Sequence, residues 1–302
     1  VNFVVEDASG NQATATFEVT VEDNVAPVAS VQDIQVSLDE TGNITVNASQ
    51  LNDGSSDNCT ADSALTFMFD TTGDGNGDSA TVAYDCTNIG VNGNAVSIHA
   101  YDSSNNQSVA VAATITVVDD AAPDVTLLPN LTVTLSNDAG AGSVTIDETN
   151  IIDSATDNCD AAIDYTMSQS TFTCADLAAP VEVTLTATDD YNNVTTKTIM
   201  VTVVDNDNPT VVAQDITVSL DPDGQVVITP DMVDSDATPS TDNCTLTLSL
   251  SETTFDCTDI GTVTVTLTGT DESDNTASDT AVVTIVDDLA PVAVGQNITV
   301  TL

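Results

Sequence analysis

The sequence has no tryptophan, one basic residue (Lys197) and one histidine (His99), and aromatic residues make up only 3% of its 302 positions. Its 48 acidic residues give a formal net charge of −47. Nucleic acid and anionic membrane surfaces are therefore not expected partners, because both require cationic protein groups. No apolar run approaches the roughly 20 residues of a membrane-spanning helix, so membrane insertion is not expected. No signal peptide is visible.

The acidic residues are almost all aspartate, since only eight of the 48 are glutamate. Aspartate favours turns, whereas glutamate favours helices. With so few aromatic residues, the hydrophobic cores must be built from valine, isoleucine, leucine and threonine, which are typical of strands. The composition therefore predicts short strands joined by acidic turns.

A repeated segment divides the chain. "VEDNVAPVA" recurs as "VVDDAAPDV", "VVDNDNPTV" and "IVDDLAPVA". The prolines of these segments are 96, 86 and 82 residues apart, at Pro27, Pro123, Pro209 and Pro291. Each interval is close to the roughly 100 residues of an immunoglobulin-like domain, so the chain is expected to contain tandem domains.

The same landmarks follow each proline. An alternating strand such as "DITVSL" comes first, then a Gly-marked turn and a second strand, the triplet "DNC", a second cysteine and a final hairpin. This pattern predicts an all-β chain of tandem immunoglobulin-like β-sandwich domains arranged end to end. We expect complete repeats at 26–121, 122–207 and 208–289. Residues 1–25 would be the last hairpin of a preceding repeat, and 290–302 the first strand of a following one. The sequence is thus expected to be a window on a longer array.

The six cysteines fall two per repeat at matched positions. In the third repeat the intervening segment has the pattern of strand, turn and strand, so a disulfide there would close a hairpin. Closing a loop of about 15 residues contributes roughly 3 kcal/mol in a chain-entropy treatment. The alternative, a zinc site, is disfavoured because CxxC pairs are missing and there is a single histidine. Disulfides would indicate an oxidising, extracellular location. The predicted pairs are Cys59–Cys86, Cys159–Cys174 and Cys244–Cys257.

The order of these landmarks, including "DNC", "FDCTDIG" and "VTVTLTGTDESDN", resembles the HYR-type and related immunoglobulin-like repeats of giant bacterial surface proteins. Such proteins include adhesins and gliding adhesins of flavobacteria. The resemblance covers almost the whole chain, although the tryptophan often found in HYR cores is missing and repeat 2 has "ADLAAP" in place of "CTNIG" or "CTDIG". "DNDNP" also resembles the calcium linker of cadherins. The resemblance implies a structural or adhesive role without catalysis.

Acidic groups recur at three places: the linker before each proline, the "DNC" triplet and the turn of the final hairpin. In an immunoglobulin-like sandwich these places lie at the same end of the domain. Calcium takes six to eight oxygens from Asp, Asn and backbone carbonyls, so we expect calcium at the junctions between repeats. The alternative is that Asp and Asn only form turns and that the acidity gives solubility or salt tolerance. The predicted ligands are Asp23, Asn24, Asp57 and Asp102 at the Pro27 junction; Asp119, Asp120, Asp157, Asp189 and Asp190 at the Pro123 junction; Asp205, Asp207, Asp242, Asp271 and Asp274 at the Pro209 junction; and Asp287 and Asp288 in the last linker.

Repeat 1 carries an insert rich in Gly and Asp, "DTTGDGNGDSATVAYD". Asp74, Asn76 and Asp78 fit positions 1, 3 and 5 of a calcium loop, and Asp85 fits position 12. Position 6 is Ser79 instead of Gly, and no flanking helices are expected. The insert is therefore interpreted as a flexible loop, with a calcium site as the weaker alternative.

No nucleophilic triad or phosphate-binding loop is present, so we do not expect an enzyme. The favoured function is that of stalk or filament repeats of a secreted bacterial cell-surface adhesin, ordered by calcium. The expected partners are neighbouring repeats of the same chain and like chains in a fibre. The alternative is a carbohydrate-binding or accessory module that contacts surface glycans. It usually needs aromatic platforms, and an exposed row of Tyr84, Tyr101 and Tyr191 would favour it.

Overall fold

The computed structural model describes residues 1–90, 92–135 and 142–300. It begins with an antiparallel hairpin of β1 (Asn2–Glu6) and β2 (Gln12–Thr16), whose side chains are all exposed. No helix among the described residues is long and apolar enough to cross a membrane.

The first repeat contains a four-stranded sheet of order β3-β8-β7-β5 and a two-stranded sheet of β4 and β6. β3 runs parallel to β8 and places Ile34 opposite Ile115, whereas β7 runs antiparallel to β8. Short 3₁₀ helices lie at Ala48–Leu51, Asp62–Ala64 and Cys86–Asn88. The strands are β3 (Ile34–Ser37), β4 (Asn43–Asn47), β5 (Thr66–Phe69), β6 (Thr81–Asp85), β7 (Asn94–Tyr101) and β8 (Val111–Val118).

The second repeat has the equivalent four-stranded sheet, of order β10-β16-β15-β13, and the two-stranded sheets β11-β14 and β9-β12. Its 3₁₀ helices are Glu148–Asn150 and Cys174–Asp176. The strands are β9 (Asp124–Leu127), β10 (Leu131–Thr134), β11 (Ser143–Thr145), β12 (Ile152–Thr156), β13 (Asp164–Met167), β14 (Thr171–Thr173), β15 (Val181–Thr188) and β16 (Val194–Val204).

The third repeat again has a four-stranded sheet, of order β17-β22-β21-β19, and a two-stranded sheet of β18 and β20. A one-turn α-helix, α1 (Pro230–Val233), follows β18 and has proline in its first turn, where the missing N–H is not needed. The strands are β17 (Ile216–Ser219), β18 (Gln225–Val227), β19 (Thr247–Leu250), β20 (Thr254–Asp256), β21 (Gly261–Thr270) and β22 (Thr276–Val286).

Alternating side chains form the cores. In β8, for example, Ala113, Ile115 and Val117 are buried, and the residues between them are partly exposed. In each repeat one two-stranded sheet contributes a buried aromatic side chain, located two residues before the second cysteine: Tyr84, Phe172 and Phe255. All three rings are buried, and Tyr84 and Phe255 belong to the hydrophobic cores of their repeats. The prediction of an all-β chain of repeated sandwiches is therefore confirmed.

The chain divides into two compact units, and the division falls inside the second repeat. Unit 1 consists of Val1–Asp124, Thr156–Asp164 and Thr188–Thr195. Unit 2 consists of Val125–Ala155, Tyr165–Ala187 and Thr196–Leu302. The expected repeat boundaries at 26–121, 122–207 and 208–289 differ from these units and remain a prediction.

Residues 290–300 form no strand, although a first strand was expected there. In the complete repeats that strand pairs in parallel with the last strand of the same repeat, as β3 does with β8. No such pairing is found for 290–300 within the described part of the chain, and an unpaired strand is not stable in water.

Candidate metal centres

Three clusters each bring together one aspartate from each of the three predicted places. Within each cluster the candidate ligand oxygens lie within 4.8 Å of one another. Clusters 1 and 2 belong to unit 1, and cluster 3 belongs to unit 2. Cluster 1 is Asp23, Asp57 and Asp102; cluster 2 is Asp119, Asp157 and Asp189; and cluster 3 is Asp205, Asp242 and Asp271.

The linker aspartates of clusters 2 and 3 directly follow the last strand of a repeat. Asp119 comes after β8 and Asp205 after β16, and they are only 6% and 5% exposed. One oxygen of each is used locally: Asp119 Oδ1 accepts from the Ala121 N–H, and Asp205 Oδ1 accepts from the Asp207 N–H. The end of the strand therefore fixes one carboxylate oxygen and leaves the other buried without a hydrogen-bond partner.

The aspartates of the final hairpins begin a tight turn. Asp102 Oδ1 accepts from the N–H groups of Ser104 and Asn106, both at 2.8 Å, and Asn105 adopts a left-handed backbone with φ of 63°. The turns after Asp189 and Asp271 repeat these bonds. Such side-chain bonds to the following backbone are typical of Asp in turns. The turn holds a buried carboxylate in a single orientation.

The "DNC" loops are held by the same chemistry. Asp157 Oδ1 accepts from the N–H groups of Cys159 and Asp160, and Asp57 Oδ2 accepts from those of Cys59 and Thr60. The backbone bonds from Cys59 and Thr60 lower the pKa of Asp57. In each case the second oxygen of the carboxylate is free of these turn bonds.

Five buried carboxylate oxygens in the clusters have no hydrogen-bond partner: Asp23 Oδ2, Asp57 Oδ1, Asp119 Oδ2, Asp157 Oδ2 and Asp205 Oδ2. Leaving a charged oxygen buried and unpaired costs free energy unless a cation or donor compensates it. The whole sequence offers one lysine and one histidine for nine clustered carboxylates. The donor set, all carboxylate oxygen, fits a hard divalent cation such as Ca²⁺.

Repulsion between the carboxylates of the third cluster affects the pKa of Asp242. Burial raises the pKa of Asp242 above its ordinary value of 3.8, and the neighbouring charges of Asp205 and Asp271 raise it further. The backbone bond from Cys244 acts in the opposite direction. A divalent cation bound among these carboxylates would remove this repulsion.

Several predicted ligands lie outside the three clusters. Asp120 and Asp288 accept from the hydroxyls of Ser37 and Ser219, each at 2.8 Å. Asp274 is the left-handed residue of its turn, with φ of 66°. Asp287 Oδ1 accepts from the Leu289 N–H. Asp190 and Asp207 are also outside, and because the clusters are defined by acidic side chains, the role of Asn24 stays a prediction.

The carboxylates of the insert are used within the loop itself. Asp78 accepts from Thr71 and Thr72, Asp74 accepts from Asn76, and Asp85 caps the 3₁₀ helix at Cys86 by accepting from Thr87. The metal groups found among the described residues do not include them. Each of these carboxylates therefore has a local hydrogen-bond role, and a calcium site in the insert stays a prediction.

The predicted cysteine pairs are wrong. The disulfides are Cys86–Cys159 and Cys174–Cys244, with Cα–Cα distances of 5.4 and 5.7 Å, and Cys59 and Cys257 are free and exposed. The intra-repeat pairing assumed a hairpin between the cysteines. Instead β19 pairs with β21 in the four-stranded sheet, and β20 pairs with β18 in the two-stranded sheet. The first cysteine of a repeat therefore lies beside the acidic cluster, and the second lies beside the Gly turn at the other end. The second cysteine of one repeat meets the first cysteine of the next.

Three asparagines that bond to the linkers at the clusters were not predicted from the sequence. The side chains of Asn106, Asn193 and Asn275 donate to the backbone oxygens of Asp23, Asp119 and Asp205, at 3.0, 3.2 and 3.1 Å. Each also donates to the turn aspartate of its own hairpin. The signal was present, because asparagine is the fifth residue of "DSSNN", "DDYNN" and "DESDN".

The tyrosines do not form an exposed row. Tyr84 is 9% exposed and belongs to the core, and the Tyr101 hydroxyl donates to Gln107. Tyr191 is 40% exposed. The aromatic platform required by the carbohydrate-binding alternative is therefore not provided by these three residues.

No protein-family model and no curated protein matches the chain. Among solved structures it is similar to the protocadherin gammaB4 extracellular domain, with 12% identity, a TM-score of 0.30 and coverage of 94% of this chain and 59% of that one. It is also similar to mouse cadherin-23 EC22-24, with 15% identity, a TM-score of 0.30 and coverage of 88% and 100%. It is also similar to Drosophila OTK extracellular domains 3-5, with 10% identity, a TM-score of 0.28 and coverage of 86% of this chain and 97% of that one. The chain thus spans less than two thirds of the protocadherin gammaB4 chain. Similarity at this level defines neither the function nor the partners of the chain.

Proposed function

We propose that the three clusters bind Ca²⁺ and that the repeats form a calcium-ordered, non-catalytic stalk of an extracellular adhesin. The observation that carries this proposal is the convergence of buried carboxylate oxygens without hydrogen-bond partners. HYR-type repeats of bacterial surface proteins remain the family that the sequence landmarks favour.

In this proposal each ion is held by the linker, the "DNC" loop and the hairpin turn. At the second cluster the residues are Asp119, Asp157 and Asp189, with the side-chain oxygen of Asn158, also buried and without a partner, close in sequence. The bound ion supplies two positive charges, which offset the repulsion between carboxylates. It would thereby connect the end of one predicted repeat to two loops of the next.

The disulfides support an extracellular location. Cys159 and Cys244 directly follow the asparagines of two "DNC" loops and are both bonded to the preceding predicted repeat. Structural disulfides persist in oxidising compartments, which include cell surfaces and secreted material. The stalk role follows from two kinds of link, ionic and covalent, at one junction.

Calorimetric titration with Ca²⁺, together with thermal unfolding in calcium or in chelator, tests the proposal. We expect one ion per cluster, and a Tm that is higher in calcium because the ion binds only the folded state. The stabilisation should be about 2.7 kcal/mol at a hundred times the Kd.

The matched variants are Asp119→Asn and Asp120→Asn, neighbours in one linker. Asp119→Asn should remove one binding event, and Asp120→Asn should leave all of them intact. Absence of binding heat together with identical Tm values in calcium and chelator would refute the proposal and leave the clusters as turns.

A further inference from the structure

In each repeat the Gly turn and the second cysteine form a docking site for a "DNC" loop, which we call the receptor. In two repeats, at Gly42 with Cys86 and at Gly142 with Cys174, a "DNC" loop occupies this receptor. At Gly42 (φ of 72°), an added Cβ would lie 2.6 Å from the Asn158 carbonyl oxygen and 2.7 Å from Cys86 Sγ. At Gly142 an added Cβ would likewise collide with Asn243 and Cys174. Only glycine leaves room here for the incoming "DNC" loop and its disulfide.

The incoming asparagine makes specific bonds in the filled receptors. The Asn158 side chain donates to the Asp39 backbone oxygen and to Asp119 Oδ1, both at 3.1 Å. In the next repeat Asn243 is only 8% exposed and donates to Asp205 Oδ1 at 3.2 Å. Recognition therefore involves the asparagine as well as the cysteine.

The third repeat has the same receptor without an occupant among the described residues. Gly224 has φ of 74°, and an added Cβ there would lie 2.8 Å from Cys257 Sγ and within 4 Å of no other heavy atom. Its turn repeats the backbone bonds of the Gly42 turn, since Gly224 N–H donates to Asp221 and Gly42 N–H donates to Asp39, both at 2.9 Å. Cys257 is exposed, whereas its equivalents Cys86 and Cys174 are partly buried.

An open groove surrounds this receptor. It is lined by Leu220, Pro222, Gly224, Cys257, Asp287 and Leu289. Asp221 and Asp287 occupy the positions that Asp39 and Asp119 hold in the first receptor. The polar partners of an incoming asparagine are thus present in the third repeat.

We propose that Gly224 and Cys257 form a receptor for an Asp-Asn-Cys loop of another repeat of this type, which it holds through a disulfide to Cys257. The asparagine of that loop donates to the Asp221 backbone oxygen and to Asp287. The proposal does not depend on calcium binding.

The test uses the full chain and a peptide with the sequence of residues 239–246, "PSTDNCTL", supplied as its mixed disulfide with glutathione. The Cys257 thiolate attacks the peptide sulfur, a new disulfide forms, and glutathione leaves as a thiolate, so no further oxidant is required. The control peptide has the same residues with Asp and Asn moved away from Cys. Peptide mapping reports the bond at Cys257 and at Cys59.

We expect Cys257 to react with the native peptide about tenfold more than with the control peptide, the value of one or two net hydrogen bonds. Cys59, also exposed, should show no preference.

Gly224→Ala should abolish the preference at Cys257. Gly10→Ala should not, although Gly10 has a similar φ of 82° and open surroundings. A disulfide between Cys59 of one copy and Cys257 of another, formed when the Cys257 thiolate displaces glutathione from a glutathionylated Cys59, would also support the proposal, since Cys59 lies in such a loop. Equal reaction of both peptides at Cys257, or the same preference at Cys59, would overturn it.

Discussion

The linker and "DNC" aspartates of the clusters each use one carboxylate oxygen for local backbone bonds and keep the other free of those bonds. This division explains why short acidic side chains serve both folding and the proposed ion site. An asparagine at such a position keeps the local bond but removes the charge. Substitutions to asparagine therefore separate the two roles.

The Asp242→Asn substitution should change the free energy of unfolding in opposite directions in chelator and in calcium. In chelator at pH 7 it should raise the free energy of unfolding, because burial and the charges of Asp205 and Asp271 disfavour the ionised Asp242. In calcium at pH 7 the substitution should lower the free energy of unfolding, because the ion loses one charged ligand. Thermal unfolding of both proteins in both solutions measures the difference.

The pH dependence of this effect follows from the raised pKa. A carboxyl whose folded-state pKa lies above its unfolded value favours folding most below the ordinary 3.8, and this contribution is lost as the pH rises through the folded-state pKa. In chelator, the advantage of Asp242→Asn should therefore disappear between the raised pKa and 3.8. Asp236→Asn, at an exposed position, is the control and should have little effect in either solution. An advantage of Asp242→Asn that persists unchanged at low pH would contradict this account.

Gly42→Ala should destabilise the chain more than Gly10→Ala. Both glycines have positive φ, so the backbone strain is similar, roughly 1–2 kcal/mol. Only at Gly42 would the methyl group meet the Asn158 carbonyl oxygen and Cys86 Sγ. Overpacking of this kind adds about 1–3 kcal/mol. Urea unfolding measures the excess, and equal losses for the two variants would show that the contact adjusts freely.

At the level of strands and loops, the sequence predicted extended segments within the complete repeats but not which sheet they join. Alternation in "TLSL" and "TFD" correctly marked β19 and β20 as strands. Alternation has the same period in either sheet, so it could not show that these neighbours separate. The cysteine pairing failed for this reason, whereas the acidic clusters were predicted because they depend only on which end of the domain a loop occupies.

The "DNC" loop connects the proposed ion site to the disulfide, so the two should be coupled. Removing the bond between Cys174 and Cys244, which are 70 residues apart, releases loop entropy worth roughly 4 kcal/mol. The double variant Cys174→Ser with Cys244→Ser should weaken Ca²⁺ binding at the third cluster, on the order of tenfold for a typical coupling. Calorimetry measures the affinity.

The control is Cys59→Ser with Cys257→Ser, which removes two cysteines but no bond. This variant should bind calcium as the unsubstituted chain does. If both double variants bind calcium with the same affinity, the disulfide and calcium binding at the third cluster are not coupled through the "DNC" loop.

Over the whole molecule, the formal charge of −47 has almost no internal compensation. Without calcium, stability should therefore depend on monovalent salt. Raising the salt from about 0.01 to about 1 M shortens the Debye length from about 30 to about 3 Å and screens the repulsion. We expect the Tm in chelator to rise with salt, and the Tm in saturating calcium to change less.

Unfolding scans across this salt range in both solutions check the prediction, with a large organic cation in place of sodium as the control for specific binding. A Tm in chelator that does not respond to either salt would mean that the charges are too far apart to matter.

The inter-repeat bonds alter the route by which a pulling force would pass through the chain. A load applied at the two ends crosses directly from Cys86 to Cys159 and from Cys174 to Cys244, so 73 and 70 residues of backbone carry no tension while the bonds last. Each bypassed segment could extend to about 230–260 Å if it were released. The sandwich strands β7, β8, β15 and β16 lie within these segments. Oxidised repeats would therefore transmit force with little lengthening, and a reducing agent would convert the same chain into an extensible tether.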